Sequence, residues 1–445
     1  MEQYGMLGLV TTTMLIAVAI SKAGISNGII RFYNEYRETE EEKTVFSSTV
    51  FIRGIIFSTA TIALYLISLS LIRKPLNIID EYILCFIFMS AYLFIRPINI
   101  IIMNFLRVND KTVILNVASF VGRVIAVALS LIIFLFIVHK LYGYFFGFIL
   151  SEYIIFAYFI FWFFKNYKIT TSKVSKGLTI DLIKFGVPLF FVELTYLLLS
   201  YLDRYMILGY LGKDALGLYS VGYNLPMYIS DVIIFAMSYA VVPIYVNIYT
   251  REGKEKTEAF LSSIFHYILV FVFSICFGYF AVSRELFVVL ASEKYGVAAS
   301  FSTIILVGTI VLGLNNVLNA GLYLKKKTSV MLIIMLVSVA TNIVLNILLL
   351  PKFELIGAAY ATLLACLLAM FLTIAASFKY IFVRLRKRIL LHICVSLIML
   401  YCVTCIDIEV LWARLAVKIC VGLIIAAIGW GLVEKNFYLN LRKFF

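Results

Sequence analysis

Hydrophobic side chains make up 63% of the 445 residues and charged ones only 14%, with a formal net charge of +14. A soluble domain is roughly 45–50% apolar and about 25% charged. At a mean hydropathy of +1.04, too little polar surface remains to cover one buried core, so most of the chain is solvated by lipid. Apolar runs of about 20 residues or more, without strict alternation, exclude an outer-membrane barrel and predict an all-α polytopic membrane protein.

In chain order the apolar runs cover residues 5–30, 45–72, 82–105, 112–138, 141–164, 185–211 and 215–248. They continue over 260–282, 298–324, 328–350, 355–378, 389–405 and 410–433. Thirteen transmembrane helices are therefore expected, most long enough to cross about 30 Å of hydrocarbon at about 1.5 Å per residue. The run 215–248 is too long for one straight span, and Pro226 and Pro243 are expected to kink or end it.

Basic residues sort by loop. Arg31, Arg37 and Lys43 lie in the first loop, Arg107 and Lys111 in the third, and Lys165, Lys168, Lys173, Lys176 and Lys184 in the fifth. Later odd loops carry Arg251, Lys254 and Lys256, then Lys325 to Lys327, then Lys379 and Arg384 to Arg388. With the tail, these total about 24 basic residues against about 7 in the alternate loops, so the odd loops and the C-terminus are expected in the cytoplasm. The N-terminus then falls outside, without the basic region of a signal peptide.

An internal repeat is also legible. Glu2-Gln3-Tyr4-Gly5 before an apolar run matches Asp214-Ala215-Leu216-Gly217 before another, and Glu42-Lys43-Thr44 matches Glu255-Lys256-Thr257. A repeat of this length implies a duplicated lobe. The run 185–211 has no earlier counterpart, and the charge count is one helix short. The expectation is therefore a further helix ahead of Glu2, giving fourteen helices with both termini inside.

Several segments resemble polysaccharide flippases. FGVPL at 185–189 and LDRYMILGYLGKDALGLYSVGY at 202–223 are similar to the entrance of that family's second lobe. EQYG at 2–5 and GISNGIIRFYNEY at 24–36 resemble its first loop and second helix, and LNILLLPKFELIGAAYATLLA at 345–365 a late segment. The resemblance is to the O-antigen (Wzx-type) branch of the multidrug/oligosaccharidyl-lipid/polysaccharide (MOP) exporter superfamily. It implies two inverted-V lobes around a central cavity. Residues 1–170 would form the N-terminal lobe of five helices, with its first absent. Residues 181–380 would form a second lobe of six, and 385–445 two additional helices and a short cytoplasmic tail.

Ionisable residues at membrane depth mark candidate sites, because they are costly there. Lys22, Arg53, Arg96 and Arg123 are the candidates for a cationic substrate cavity that takes a diphosphate, since guanidinium groups bind phosphate bidentately. The opposing reading pairs Arg53, Arg96 or Arg123 with Glu152 to tie helices together. Glu152, Glu193, Asp203 and Asp231 are the acids at depth. Glu193 and Asp231, assigned to the second lobe, are the leading candidates to couple H+ or Na+, and Asp203-Arg204 are expected in polar contacts or gating. Tyr196, Tyr201, Tyr219 and Tyr223 are either core residues or stacking surfaces for sugar rings.

No phosphate-cradling G-x-x-x-x-G-K-[ST] loop is present, so ATP hydrolysis on this chain is not expected. His139, His266 and His392 are scattered without zinc spacing, and the seven cysteines fall in apolar runs, against a disulfide framework. No cofactor and no metal are expected. The positive charge reads as cytoplasmic loop bias that attracts membrane lipids rather than nucleic acid. With the resemblance, the expected function is a non-enzymatic secondary transporter flipping a polyprenyl-diphosphate-linked oligosaccharide by alternating access, alongside other polysaccharide assembly proteins. The alternatives are a flippase for a cell-wall precursor lipid, a cation antiporter and, less favoured, a membrane polysaccharide polymerase.

Overall fold

The computed structural model describes residues 2–22, 24–72, 80–109, 111–232 and 236–434. Its helices are α1 (Glu2–Lys22), α2 (Ile25–Phe32), α3 (Glu40–Ile72), α4 (Asp80–Val108), α5 (Thr112–Ile132), α6 (Leu141–Asn166) and α7 (Lys176–Ser230). They continue with α8 (Ala236–Leu290), α9 (Ala299–Leu318), α10 (Ala320–Leu324), α11 (Thr328–Ser377), α12 (Ile389–Thr404) and α13 (Leu411–Val433). No strand occurs among the described residues. Helices satisfy every backbone group internally, which a hydrocarbon solvent demands.

Ten helices among the described residues are long and apolar enough to cross a membrane. The thirteen apolar runs distribute over them unevenly. Runs 185–211 and 215–248 begin on α7, runs 328–350 and 355–378 share α11, and run 389–405 forms the 16-residue α12. A straight helix of 55 residues would be about 80 Å long, far beyond about 30 Å of hydrocarbon. Backbone breaks resolve this: Gly212 in α7 (φ 81°, ψ −174°), Gly253 in α8 (φ 83°, ψ −168°) and Glu354 in α11 (φ 50°, ψ −134°). The φ/ψ of Gly212 is one that only glycine adopts without strain. Neither Pro226 nor Pro243 ends a helix: α7 continues past Pro226 to Ser230, and Pro243 lies within α8.

The chain forms two compact units. One comprises Met6–Tyr201; the other is the chain from Leu202 onward together with Gln3–Gly5. In the first, α4 packs against α3 and α6, and α5 against α6. Its core is aromatic: Phe105 lies 5.2 Å from Phe163 and 4.8 Å from Tyr167, ring centre to ring centre. Phe120, Phe136 and Phe161 point outward, the expected face for lipid. In the second unit α9 packs on α11, and both α12 and α13 pack on α8. Lys418 of α13 donates to Glu285 of α8 at 2.5 Å, anchoring the C-terminal helix pair. Interhelical polar bonds of this kind help hold helices together where lipid removes the hydrophobic drive between them.

Glycines set the closest helix approaches. A Cβ on Gly24 would lie 2.2 Å from the carbonyl carbon of Gly186, so the Gly24 turn after α1 seats directly on α7. Gly5 meets Gly217 in the same way, 2.7 Å from a Gly5 Cβ position to the Gly217 nitrogen. These last two glycines are the equivalent positions of the sequence repeat.

Candidate functional site

Four cations predicted for the substrate region fall in the Met6–Tyr201 unit, and the structure gives each a distinct environment. Lys22, at the end of α1, forms an ion pair with Glu193 of α7. In the same Met6–Tyr201 unit the Gly24 turn approaches Gly186 of α7, two turns before Glu193. Arg96 of α4 donates to Glu152 of α6 at 3.4 Å. Pro97 follows, and the amide of buried Asn99, one turn along, has no hydrogen-bond partner among the described residues. Arg53 of α3 donates its Nε–H to the Thr179 hydroxyl at 3.3 Å. Arg123 is exposed on α5, with no ion pair among the described residues. Of the three arginines weighed as partners of Glu152, Arg96 makes the contact; the Lys22–Glu193 pair was not among the pairings considered. Of these four cations, two are paired with carboxylates.

The second unit holds a different polar cluster. Asp203 and Arg204, adjacent on α7, are both buried and diverge as successive helical residues must. Asp203 accepts a hydrogen bond at Oδ2 from the Tyr219 hydroxyl, and its Oδ1 has no hydrogen-bond donor. Arg204 donates to Asn224 at 2.9 Å and lies 5.1 Å above the Tyr223 ring. Asn224 in turn donates to the Tyr4 hydroxyl at 3.3 Å. Tyr219 and Tyr223 are fully buried, which makes them core residues rather than open stacking surfaces.

Sequence reasoning missed the partners of Asp203 on α11. Thr362 presents its hydroxyl to the Asp203 carboxyl. Asn342 donates to that hydroxyl at 3.3 Å. Asn346 donates to the Asn342 side chain at 3.2 Å, while its own Oδ1 lacks a donor. Asparagines four apart on one helix share a face, the one available signal; only the break at Glu354 brings Thr362 back beside them. Two orphaned oxygens, from Asp203 and Asn346, therefore lie in one buried group of oxygen-bearing side chains, the donor set that hard cations select. Asp231 is half-buried just past the end of α7, with no hydrogen-bond or ion-pair partner among the described residues.

Two histidines scattered in the sequence meet in space. His266 Nε2 and His392 Nε2 approach Glu434 Oε1 at 2.8 and 3.4 Å, and all three residues are buried. Burial opposes ionisation of Glu434, but hydrogen bonds from His266 and His392 outweigh it and hold the carboxyl below its usual range. Their ligand atoms lie within 4.8 Å of one another, so this trio could hold a metal ion. The absence of zinc spacing in the sequence did not foresee it, since α8, α12 and the end of α13 each supply one residue.

The family model described as "Polysaccharide biosynthesis protein" matches residues 1–249, more than half of the chain. The chain belongs to this family. A second model, MatE, matches residues 188–348 of the same family member. No curated protein sequence matches it. Among solved structures, the lipid II flippase MurJ in its inward closed conformation has the same fold, with a TM-score of 0.78 at 16% identity. That likeness covers 98% of this chain and 93% of MurJ. An inward-facing multidrug resistance MATE transporter gives a TM-score of 0.69 at 16% identity, over 85% and 92% of the two chains. A MOP superfamily transporter from Pyrococcus furiosus gives 0.59 at 16% identity, over 85% and 88%. This member of the polysaccharide biosynthesis family is thus a multi-pass helical membrane protein that shares its fold with MurJ and with MATE transporters.

Proposed function

We propose that this transporter flips a polyprenyl-diphosphate-linked oligosaccharide across the cytoplasmic membrane for polysaccharide export. The observation that supports the reading is the excess of cations over carboxylates among the candidate site residues of the Met6–Tyr201 unit: Lys22, Arg53, Arg96 and Arg123 against Glu152 and Glu193. Even a partly buried ion pair is costly to break without replacement. A diphosphate supplies that replacement. Arg123 meets it first, and Arg96 and Lys22 exchange a carboxylate partner for a phosphate one. A cationic drug would be repelled by the same charges. A cell-wall precursor lipid carrying a diphosphate shares the chemistry and differs in its sugars.

Energy comes, in this reading, from H+ or Na+ bound in the second unit by Asp203 with Asn342, Asn346 and Thr362. The orphaned oxygens of Asp203 and Asn346 support that placement. Asp231 is the further carboxylate on the same reading. Alternating access follows, with the headgroup moving through the polar interior while the lipid tail stays in the bilayer. The C-terminus is cytoplasmic on the loop-charge rule.

Replacing Arg96 and Arg123 together by Gln in a host that depends on this chain should remove its surface polysaccharide while the protein remains inserted. Unchanged surface polysaccharide would end the cationic-site reading. Collapsing the proton gradient and the sodium gradient separately should stop export in one case; export indifferent to both would end the ion-coupling reading.

A further inference from the structure

Three predicted same-side loops converge at one end of the Met6–Tyr201 unit. The segments after α2, α4 and α6 enclose a cavity of about 590 Å³, within the size range of small-ligand sites. Arg37, Lys43, Lys111, Lys165 and Lys168 line it, against Glu40 as the acid in the lining among the described residues. Glu40 is committed to Lys43 at 2.6 Å. Nearby on the same loop, Glu41 pairs with Lys173 and Glu42 caps α3 at Thr39. No ion pair to Arg37, Lys111, Lys165 or Lys168 occurs among the described residues.

A closed ring of hydrogen bonds fixes the base of the cavity. The Tyr33 hydroxyl donates to Asn109 Oδ1 at 3.1 Å, and Asn109 Nδ2 donates to the Tyr167 hydroxyl at 2.6 Å. The two hydroxyls are 2.9 Å apart, which leaves Tyr167 to donate back to Tyr33. Burial, reinforced by Tyr33, pushes the Tyr167 phenol far above its usual range, so the base carries no negative charge. On the wall, Lys111 Nζ lies 5.3 Å from the centre of the Trp162 ring. A solvated basic face would be convex and mobile. This one is concave, aromatic-walled and seated on a rigid neutral base.

We propose that this pocket binds a phosphate-ester anion. It is a site separate from Lys22, Arg53, Arg96 and Arg123, and it stands whatever the transported substrate is. Lysine ammonium groups neutralise phosphate as point charges, and Arg37 can add a bidentate contact. Two sources share this chemistry, an anionic lipid headgroup and a soluble phosphate ester.

The test uses the full chain in detergent and inorganic pyrophosphate as the probe, read by tryptophan fluorescence. Trp162 lines the pocket, whereas Trp412 and Trp430 lie on α13 in the other unit. The expected result is a saturable signal that disappears in Trp162→Phe and weakens about tenfold or more in the double variant Lys111→Gln/Lys168→Gln. Lys165→Gln, which alters only an exposed side chain, should weaken it severalfold and covers any misfolding of the double variant. Repeating the titration in nanodiscs of phosphatidylcholine with and without phosphatidylglycerol separates the sources: competition by phosphatidylglycerol assigns the site to lipid, and its absence to a soluble ester. A signal that never saturates, or that is unchanged in Lys165→Gln and in the double variant, would overturn the proposal.

Discussion

Gly5 and Gly217, equivalent positions in the two halves of the sequence repeat, touch each other in the structure. A Cβ on Gly5 would fall 2.7 Å from both the Gly217 nitrogen and the Lys213 carbonyl oxygen. Backbone atoms cannot step aside as a side-chain tip can. Gly5→Leu should therefore lower thermal stability by about 1–3 kcal/mol, the cost of overpacking, and reduce the yield of folded protein in detergent. A Gly5→Leu protein that melts like the parent would show that the α1 start is free to move.

Gly212 tests backbone strain without steric complication. Nothing lies within 4 Å of its Cβ position, yet its φ of 81° lies in a region that L side chains avoid. Gly212→Ala should destabilise by about 1–3 kcal/mol. Gly209→Ala, three residues earlier in regular helix and equally open, should be neutral or stabilising by up to about 1 kcal/mol. Equal melting temperatures for the two variants would remove the break at Gly212 as a strained position.

The Asp203 group predicts a separation of fold from coupling. Asp203→Asn keeps an acceptor for the Tyr219 hydroxyl and removes the charge that a cation would neutralise. The variant should insert and melt near the parent while transport loses its dependence on the ion gradient. Asn346→Ala should weaken that dependence too, through the orphaned Oδ1. Retained gradient dependence in Asp203→Asn would move the coupling site elsewhere, with Asp231 next in line.

Glu434 gives the C-terminal helices a pH dependence of known sign. Its carboxyl is held below its usual range despite burial, by His266 and His392. A depressed carboxyl contributes stability above the unfolded-state value, about 4.3, and loses it as pH falls through the lower folded value. Acidification below about pH 4 should therefore loosen the end of α13 from α8, seen as faster amide exchange there. Glu434→Gln should show that exchange already at neutral pH and little further change on acidification. Exchange in the parent that is flat with pH would contradict the assignment.

How much of this was legible in the sequence follows from physical range. The helices were readable because lipid imposes one long-wavelength rule, about 20 apolar residues per crossing. Arg96 and Glu152 were named, and their contact was one of the two readings weighed. The pairing of Lys22 with Glu193 was not foreseen, because the two lie 171 residues apart and no local pattern announces their contact. Asn342, Asn346 and Thr362 were passed over because uncharged polar residues are common in membrane helices, and only Asp203 across the fold gives them meaning. The meeting of His266, His392 and Glu434 is likewise a product of three helix ends, not of spacing.

The central claim is that charge in the Met6–Tyr201 unit selects a diphosphate. Reconstituted into proteoliposomes, the transporter should move a polyprenyl-diphosphate-linked oligosaccharide between leaflets, and Arg96→Gln/Arg123→Gln should slow that movement by about tenfold or more, given about 1.5–3 kcal/mol per charge-assisted bond. Equal rates for the parent and the double variant, with both shown to be folded and inserted, would contradict it.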